Sequence, residues 1–347
     1  MCSTNTGVLL SLHDASAAAA VHRCSWAGLA GAAELRRFGM AELVVLAVDP
    51  ADPDPAHRRR LINEARRGRA LRLIAGRYVL TSDFEAASEH ERHRARIRAV
   101  LPSASERLVV SHESAVALHG LPWLGTFPDC VTVTDPIRTD GQRRAHLQKA
   151  GGAGRDLQET RVQGLPVTSL VVTGVDVALR SPFAAAVVVL DALLAQGIQR
   201  QALLDELRSR TPRPRSRTRA RRAIEFADGA AGSPGESVCR LRMAELGFPA
   251  PVLQQEFADE RGRIGYVDFW FPEQGVIVEF DGFVKYRDPA LRNGRNAEEV
   301  VIAEKLREDR LRARPRVRTL ARVVWADVQD DDRLSRALTS AGLPRGS

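Results

Sequence analysis

Apolar and polar positions near the C-terminal end of the chain follow a pattern that predicts a β-hairpin. The segment Tyr266–Lys285 contains two apolar, strand-like runs that flank the turn-forming residues Pro272–Gly275. If these four residues form the loop, Phe271 pairs with Val276, and the register of the rest of the hairpin follows from that pair.

The predicted register gathers acidic side chains on one face of the hairpin. Strand residues alternate between the two faces of a sheet, so counting back from the turn places Asp268 opposite Glu279. The same count places Tyr266 opposite Asp281. Like charges this close destabilise a sheet, and a cation between them or water over the face would relieve the repulsion. Asp268, Glu279 and Asp281 are therefore candidate ligands of a cation.

The residues around the hairpin predict a compact unit of helices and strands. Ser233-Pro-Gly-Glu has the pattern of a helix start, with Glu236 in the first turn, where the helix dipole favours an acid. Gly247 is expected to end that helix. The other predicted elements are a short strand at Phe257–Asp259, a charged helix at Glu298–Arg314, a strand at Val317–Trp325 and a final helix from Asp327 to about Ala341.

The N-terminal region combines helical patterns with a small basic hairpin. Ala33–Phe38 and Ala56–Arg67 are typical of helices, and two short strands are predicted at Leu71–Ile74 and Tyr78–Leu80. This order favours a winged helix-turn-helix, whose arginines would contact DNA phosphates and bases. The alternative is a solvated helix face. The candidate DNA-contacting residues are Arg58, Arg59, Arg60, Arg66, Arg67, Arg69 and Arg77.

Helices and strands alternate in the middle region. Helices are predicted at Ser88–Leu101, Ser111–Pro122 and Ser181–Gln196, and a strand at Val131–Val133. His90 and His93 are interpreted as part of a solvated helical face rather than as a metal pair. His112 and His119 are interpreted as core or surface residues, because no third ligand accompanies them.

An arginine-rich stretch, Arg208–Arg222, connects the middle region to the C-terminal region. Pro212 and Pro214 interrupt its first half, which favours a flexible linker that binds phosphate electrostatically, or a plain solvated hinge. Alternatively, its second half continues into a helix through Ala223–Ala227. All these interpretations keep the stretch exposed. Its candidate DNA-contacting residues are Arg215, Arg217 and Arg219.

Length and charge narrow the class of protein. The chain has 347 residues, which is typical of two or three domains, and a formal net charge of +8. This balance favours a polyanionic partner, most often nucleic acid, although a GC-rich coding sequence explains the preference for arginine over lysine. Two of the lysines, Lys285 and Lys305, lie close in sequence to the acidic hairpin.

Other composition features predict a cytoplasmic protein without a membrane partner. No apolar run is long enough to cross a bilayer, and no positive charge precedes the short apolar stretch at the N-terminus, as a signal peptide would require. Cys2, Cys24, Cys130 and Cys239 are scattered, which argues against a disulfide framework or a zinc site. All eight histidines precede the connector, so a metal site beyond it would use oxygen ligands.

The C-terminal region resembles the PD-(D/E)XK nuclease superfamily, in particular the small domain related to very-short-patch-repair endonucleases. The residues that carry this resemblance are Glu236, Asp268 in YVDF, Glu279 and Asp281 in VEFDG, Lys285 and Tyr286, then Lys305, Glu308, Asp309 and Arg310, and finally RVVWADV. Upstream, SHESAVALHGLP, GLPVTSL and LIAGRYVL are similar to AbiEi-type antitoxin proteins of actinobacteria. In that family an N-terminal winged helix binds DNA and the partner is a nucleotidyltransferase-like toxin.

The two resemblances together imply a multidomain α/β (α+β) protein. The expected parts are a winged-helix-like DNA-binding domain at 1–85, an AbiEi-like middle domain of mixed α/β structure at 86–207, an arginine-rich connector at 208–232, a restriction-endonuclease-like PD-(D/E)XK domain at 233–330, and a C-terminal helix and tail at 331–347.

The resemblance to the nucleases implies metal-dependent hydrolysis of phosphodiesters. Asp268 and Glu279 would hold Mg²⁺ or Mn²⁺, and Glu236 or Asp281 would help directly or through water. In the superfamily, a lysine orients the nucleophile or neutralises the developing charge.

One departure from the nuclease motif leaves two functions open. The lysine position of E-x-K is occupied by Asp281, so Lys285 or Lys305 would have to supply the positive charge. The first hypothesis is a DNA-binding, Mg²⁺-dependent DNA endonuclease. The second is a non-catalytic, antitoxin-like transcriptional regulator of a type IV toxin–antitoxin system, in which the acids lie on a water-covered face.

Overall fold

The computed structural model describes residues 43–48, 55–282 and 297–346. Within these ranges the chain combines helices with three β-sheets, which confirms the predicted multidomain α/β class. The chain divides into two compact units, one formed by Met1–Leu118 and Phe127–Thr168 and the other by His119–Thr126 and Ser169–Ser347. The helix predicted at Ala33–Phe38 lies outside the described residues.

The first unit contains a small sheet with one helix. The elements are β1 (Leu46–Ala47), α1 (Pro55–Arg66), β2 (Ala70–Ile74) and β3 (Arg77–Leu80), and the strands pair antiparallel in the order β1-β3-β2. The predicted helix at Ala56–Arg67 and both strands of the basic hairpin are therefore confirmed. The hairpin turns at Gly76, whose φ of +74° is a conformation that favours glycine.

The rest of the first unit combines three helices with a six-stranded sheet. The helices are α2 (Thr81–Ala86), α3 (Glu89–Val100) and α4 (His112–His119). The strands are β4 (Val109–Val110), β5 (Val131–Asp135), β6 (Gln142–Arg143), β7 (Leu147–Gly151), β8 (Thr160–Val162) and β9 (Leu165–Val167), in the order β6-β7-β5-β4-β9-β8. Ser88 caps α3, because its Oγ accepts a hydrogen bond from the Glu91 N–H.

The histidines of the first unit correct one prediction. His93 of α3 is buried and stacks on Phe127 with ring centroids 4.8 Å apart, so the interpretation as part of a solvated face is wrong for this residue. His112 is also buried, so the core alternative of its interpretation as a core or surface residue applies.

Four helices begin the second unit and decide between the interpretations of the connector. They are α5 (Leu170–Arg180), α6 (Phe183–Ala195), α7 (Arg200–Ser209) and α8 (Pro214–Phe226). Pro214 is the first residue of α8, a position where its missing N–H is not needed. The second half of the arginine-rich stretch is therefore helical, which confirms the alternative interpretation of the connector. Within the stretch Arg210 and Ala220 are buried, so the expectation of exposure is wrong at these two positions. Most of its other residues are exposed, among them Arg208, Arg213, Arg215, Arg221 and Arg222.

The second unit continues with a four-stranded sheet and further helices. The elements are α9 (Pro234–Glu245), β10 (Val252–Asp259), β11 (Gly262–Phe271), β12 (Val276–Asp281), α10 (Ala297–Arg312), β13 (Thr319–Val324), α11 (Trp325–Val328) and α12 (Asp331–Ser340). The strand order is β10-β11-β12-β13, with β13 parallel to β12. The final helix differs from the prediction, because Asp330 caps α12 and separates it from α11.

Both faces of this sheet are buried. One face packs Phe269, Val278 and Phe280 in a cluster that includes Cys239 and Met243 of α9. The other face packs Trp270 and Ile277 in a cluster that includes Leu311 of α10. Side chains alternate between the two clusters from Phe269 to Phe271 and from Val276 to Val278. The clusters place α9 and α10 on opposite faces of the strands that carry the acids.

Two further features are the absence of a membrane-spanning helix from the described residues and the state of the cysteines. Across the ranges that the structure describes, no helix combines the length and the apolar content needed to span a bilayer. Cys130 and Cys239 are free, buried thiols, and Cys2 and Cys24 lie outside the described residues.

Candidate functional site

Three acids on neighbouring elements define the candidate site. We refer to Glu236 of α9, Asp268 of β11 and Glu279 of β12 as the acid cluster. Glu236 and Glu279 are both buried, and burial is the main cause that raises the pKa of each. The negative charge of Asp268 raises the pKa of both glutamates further, so Asp268 repels each of them. A bound cation would relieve this repulsion.

Glu236 is held in place by the start of α9. Ser233 caps the helix by accepting a hydrogen bond from the Glu236 N–H, 3.2 Å away. The Glu236 carboxylate accepts hydrogen bonds from the Ser233 Oγ and from the Gly232 N–H, both at 2.8 Å. A Cβ on Gly235 would lie 2.1 Å from the Phe280 ring, so only glycine lets α9 approach β12 this closely. The capping pattern that the sequence predicts therefore also brings Glu236 to the sheet.

Asp268 lies where the pairing of β11 with β12 ends. Phe271 pairs with Val276, as predicted, and the ladder stops at the pair of Phe269 with Val278. Beyond it, the Asp268 Oδ2 accepts a hydrogen bond of 2.9 Å from the Phe280 N–H. The carboxylate of Asp268 thus takes the place of a backbone partner, which fixes its orientation.

The strand pairs predicted farthest from the turn are absent from the ladder between β11 and β12. Tyr266 is in register with Glu256 of β10, and its carbonyl accepts a hydrogen bond of 2.6 Å from Arg307 Nη2. The predicted pairing of Tyr266 with Asp281 is therefore wrong. Asp281 is half-buried at the end of β12, where it is in register with Val324 of β13.

Glu279 is paired with arginine rather than with lysine. Arg307 Nη1 of α10 lies 2.8 Å from its carboxylate, and Arg322 Nη2 of β13 lies 4.0 Å away. Lys305 is exposed on α10, and Lys285 lies outside the described residues. Arg322 is in register with Glu279 on the neighbouring parallel strand. The sequence does not show which residues of two parallel strands are paired, so this pair could not be predicted.

Gln254 of β10 connects two of the acids and was missed by sequence reasoning. Its Nε2 donates hydrogen bonds to Glu236 Oε2, at 2.9 Å, and to Asp268 Oδ1, at 3.2 Å. The sequence predicts a strand only from Phe257 onward, whereas β10 begins at Val252, so the strand that carries Gln254 was too short in the prediction.

The chemistry of these residues fits a hard divalent cation. Carboxylate and amide oxygens are the ligands that Mg²⁺ and Mn²⁺ favour. Glu236 and Asp268 both have an oxygen within 3.2 Å of the same amide nitrogen, so their carboxylates already approach a common point. Glu279 has its charge balanced by Arg307 instead. Among the residues that the structure describes, no three His, Cys, Asp or Glu side chains meet as a metal-binding group.

The candidate DNA-contacting arginines divide into exposed and internally bonded groups. The exposed residues on and just after α1 are Arg58, Arg59, Arg60, Arg66, Arg67 and Arg69, of which Arg67 and Arg69 form ion pairs with Glu64. Arg77 is half-buried. On α8, Arg215 is exposed, whereas Arg217 donates to the carbonyl of Arg210 and Arg219 to that of Leu179. Arg217 and Arg219 therefore stabilise the packing of α8.

Together, the fold and the site define a two-unit α/β protein with an acid cluster whose two glutamates are buried. No known family model matches the chain. Over 132 residues it is 33% identical to "Uncharacterized protein Rv2248" of Mycobacterium tuberculosis strain H37Rv, and equally to "Uncharacterized protein MT2308" of strain CDC 1551. The match covers 38% of this chain and 48% of each relative, so the chain spans about half the length of the curated relatives it matches.

Proposed function

We propose that this chain is a cytoplasmic, DNA-binding endonuclease of the PD-(D/E)XK type that acts with Mg²⁺ or Mn²⁺. The observation that carries the proposal is the acid cluster, whose two glutamates are buried. In it Glu236 and Asp268 share one amide donor, and Glu279 lies within the electrostatic range of Asp268. Grouping buried acids destabilises a fold, and ionisable groups perturbed in this way are concentrated at functional sites.

The residues of the acid cluster would hold the ion through their carboxylates. When bound, a divalent ion supplies an acidified water and stabilises negative charge on a phosphate. The Phe280 N–H orients Asp268, and Ser233 orients Glu236, so both carboxylates are held before any ligand arrives.

Arg307 is the residue that we propose for the role that the resemblance assigns to a lysine. It contacts Glu279 and the carbonyl of Tyr266, so its guanidinium is fixed beside the acid cluster. A guanidinium is always charged and is well suited to phosphate oxygens, which it can bind with two parallel hydrogen bonds. It would therefore stabilise charge on the scissile phosphate without having to lose or gain a proton.

The exposed arginines support DNA as the substrate. Arg58, Arg59 and Arg60 are consecutive exposed cations on α1, and Arg215 is exposed on α8. Such residues bind the phosphate backbone without regard to sequence and make binding strongly dependent on salt.

A second function is favoured by a specific observation at the same site. Arg307 and Arg322 balance the charge of Glu279 within the protein, and Asp281 stands where the nuclease motif has its lysine. These features suit a non-catalytic, antitoxin-like DNA-binding regulator, whose partner would be a nucleotidyltransferase-like toxin.

Nicking of a supercoiled plasmid tests the proposal. With Mg²⁺ or Mn²⁺ the wild-type protein is expected to nick the plasmid, and Asp268→Ala and Glu279→Ala are expected to lower the rate by about 10- to 100-fold or more, as changes at metal sites do. Glu273→Ala is the matched control, because this exposed acid lies in the turn of the same hairpin. Nicking that both cluster variants retain would show that the site is wrongly assigned.

The regulator is distinguished by binding without cleavage. If the wild type binds DNA but nicks none with either metal, the second function is favoured. In both cases Arg58→Ala and Arg59→Ala are expected to weaken binding and to make it less salt-dependent, with a change in the log–log slope of about 0.9 for each phosphate that is no longer neutralised. Unchanged salt dependence in both variants would exclude α1 from the DNA-binding surface.

A further inference from the structure

Gln254 combines a bridging contact with an unusual backbone conformation. Its Nε2 lies between Glu236 Oε2 and Asp268 Oδ1, at 2.9 and 3.2 Å. Its φ is +46°, in the left-handed region that non-glycine residues seldom adopt. Conformations of this kind persist where the surroundings enforce them, and they are concentrated at functional sites.

The loop before α9 is shaped around this bridge. The Gly232 N–H donates a hydrogen bond of 2.8 Å to Glu236 Oε2, the same oxygen that Gln254 contacts. A Cβ on Gly232 would lie 3.2 Å from Gln254 Nε2 and 3.1 Å from Glu236 Oε2, closer than side chains normally pack. The absence of a side chain at Gly232 therefore leaves room for the amide between the two acids.

The two ends of an amide group suit two states of such a site. The NH₂ end donates hydrogen bonds, and it is the end that satisfies two carboxylates when no cation is between them. The oxygen end is a hard ligand of the kind that Mg²⁺ and Mn²⁺ accept. Half a turn about the last side-chain bond exchanges the two ends with little change in the space that the side chain occupies.

We propose that Gln254 is a further residue of the metal site, which bridges Glu236 and Asp268 through its NH₂ group in the metal-free protein and turns its carbonyl oxygen to the divalent cation in the loaded protein. This inference rests on the proposed function, because it requires the acid cluster to bind the cation. The proposal adds a metal ligand from β10 to the motif residues on α9, β11 and β12.

Calorimetric titration of the metal-free, full-length protein with Mn²⁺ tests this assignment. Gln254→Ala is expected to lower the affinity by about 10- to 100-fold, as the loss of a metal-site partner does. Gln255→Ala is the matched control, because the neighbouring amide donates to the carbonyl of Glu256, and its affinity is expected to equal that of the wild type. Thermal unfolding without metal shows that each variant is folded.

The Gln254→Glu variant shows whether Gln254 binds the metal or only bridges the two acids. A glutamate has the oxygen that a cation needs but cannot donate hydrogen bonds to two carboxylates. As a ligand, it is expected to bind Mn²⁺ at least as tightly as the wild type, although its metal-free unfolding temperature falls. If Gln254→Glu binds Mn²⁺ as weakly as Gln254→Ala, or if Gln254→Ala binds as tightly as the wild type, the assignment is wrong.

The same titration shows separately whether the proposed function fails. Wild-type binding that Asp268→Ala abolishes places Mn²⁺ at the acid cluster, and the Gln254 variants then decide on the inference alone. A wild type that binds no Mn²⁺ overturns the proposed metal site and the inference with it.

Discussion

At the scale of single residues, burial lowers the pKa of His93, although the charged residues around it in sequence predict a solvated side chain. Its ring stacks on Phe127, and its Nε2 lies 2.9 Å from the Oγ of Ser114. That Oγ also accepts a hydrogen bond from the Thr132 N–H, so it links His93 to β5. Burial first, and the charge of Arg96 second, lower the pKa of His93 to about 3. The charged helix pattern around it gives no sign of this environment.

His93 should make the stability of the first unit sensitive to acid. Its pKa in the folded protein lies below the value of about 6.5 for an unfolded histidine, so its contribution is complete above pH 6.5 and is lost as the pH falls toward 3. Within that window the loss is up to about 1.4 kcal/mol per pH unit. Urea unfolding between pH 7 and pH 4.5 is expected to show a smaller decline for His93→Gln than for the wild type.

The exposed His146 provides the control for this measurement. His146→Gln is expected to decline with acid as steeply as the wild type. Equal slopes for the wild type and His93→Gln would mean that His93 is not held neutral by the fold.

At the scale of elements, a buried ion pair joins the helices of the second unit. Arg240 Nη2 of α9 lies 3.0 Å from both carboxylate oxygens of Asp191 of α6. The guanidinium also covers the ring of Phe226, 4.2 Å from its centroid, and donates to the Phe226 carbonyl at the end of α8. Burial raises the pKa of Asp191, and the nearby Arg240 opposes that shift. Three helices therefore meet at one charged contact.

Removing the acid of this pair should be costly. Asp191→Ala leaves Arg240 buried without its counter-ion, and the free energy of unfolding is expected to fall by about 3–5 kcal/mol. Chemical denaturation followed by circular dichroism measures the loss. Asp205→Ala, which breaks the exposed pair with Arg208, is the control and is expected to change little. Similar effects of both variants would show that the buried pair is not the contact that joins these helices.

Element types were predictable where local chemistry decides them. The hairpin pair of Phe271 with Val276 is confirmed, because a turn of four residues fixes the first pair of its strands. The start of α9 at Ser233 is confirmed for a similar reason, since capping is local. The parallel register of β12 with β13 was not predictable, because the two strands are joined through α10 and no turn fixes their alignment.

At the scale of the whole molecule, each compact unit is built from two separate segments of the chain. Helices α5 to α7 belong to the second unit, although the sequence predicts a middle domain at residues 86–207. The segment His119–Thr126 belongs there too, and Leu124 packs against the cluster that contains Phe269. The boundaries predicted at 85, 207 and 232 stay predictions, whereas the contacts divide the chain at Thr168.

Leu124 is therefore expected to stabilise the second unit, although the chain segments before His119 and after Thr126 belong to the first unit. Leu124→Ala is expected to lower the stability of the second unit by about 1–2 kcal/mol, less than the loss for a fully buried leucine. Hydrogen exchange followed by mass spectrometry should show reduced protection in peptides of β11 and β12. Ile137→Ala, at a position that is 67% exposed, is the control. Reduced protection confined to residues 43–118 would contradict this division.

The sequence by itself determined the α/β class, the hairpin with its acids, the capped start of α9 and the basic character of α1, because turns, caps and side-chain alternation act over a few residues. Only the folded structure shows that Arg307 lies beside Glu279, that Gln254 joins Glu236 to Asp268, and that Arg217 and Arg219 bond to carbonyls within the protein. Most of these contacts bring together residues that are far apart along the chain, and no local pattern encodes such distances.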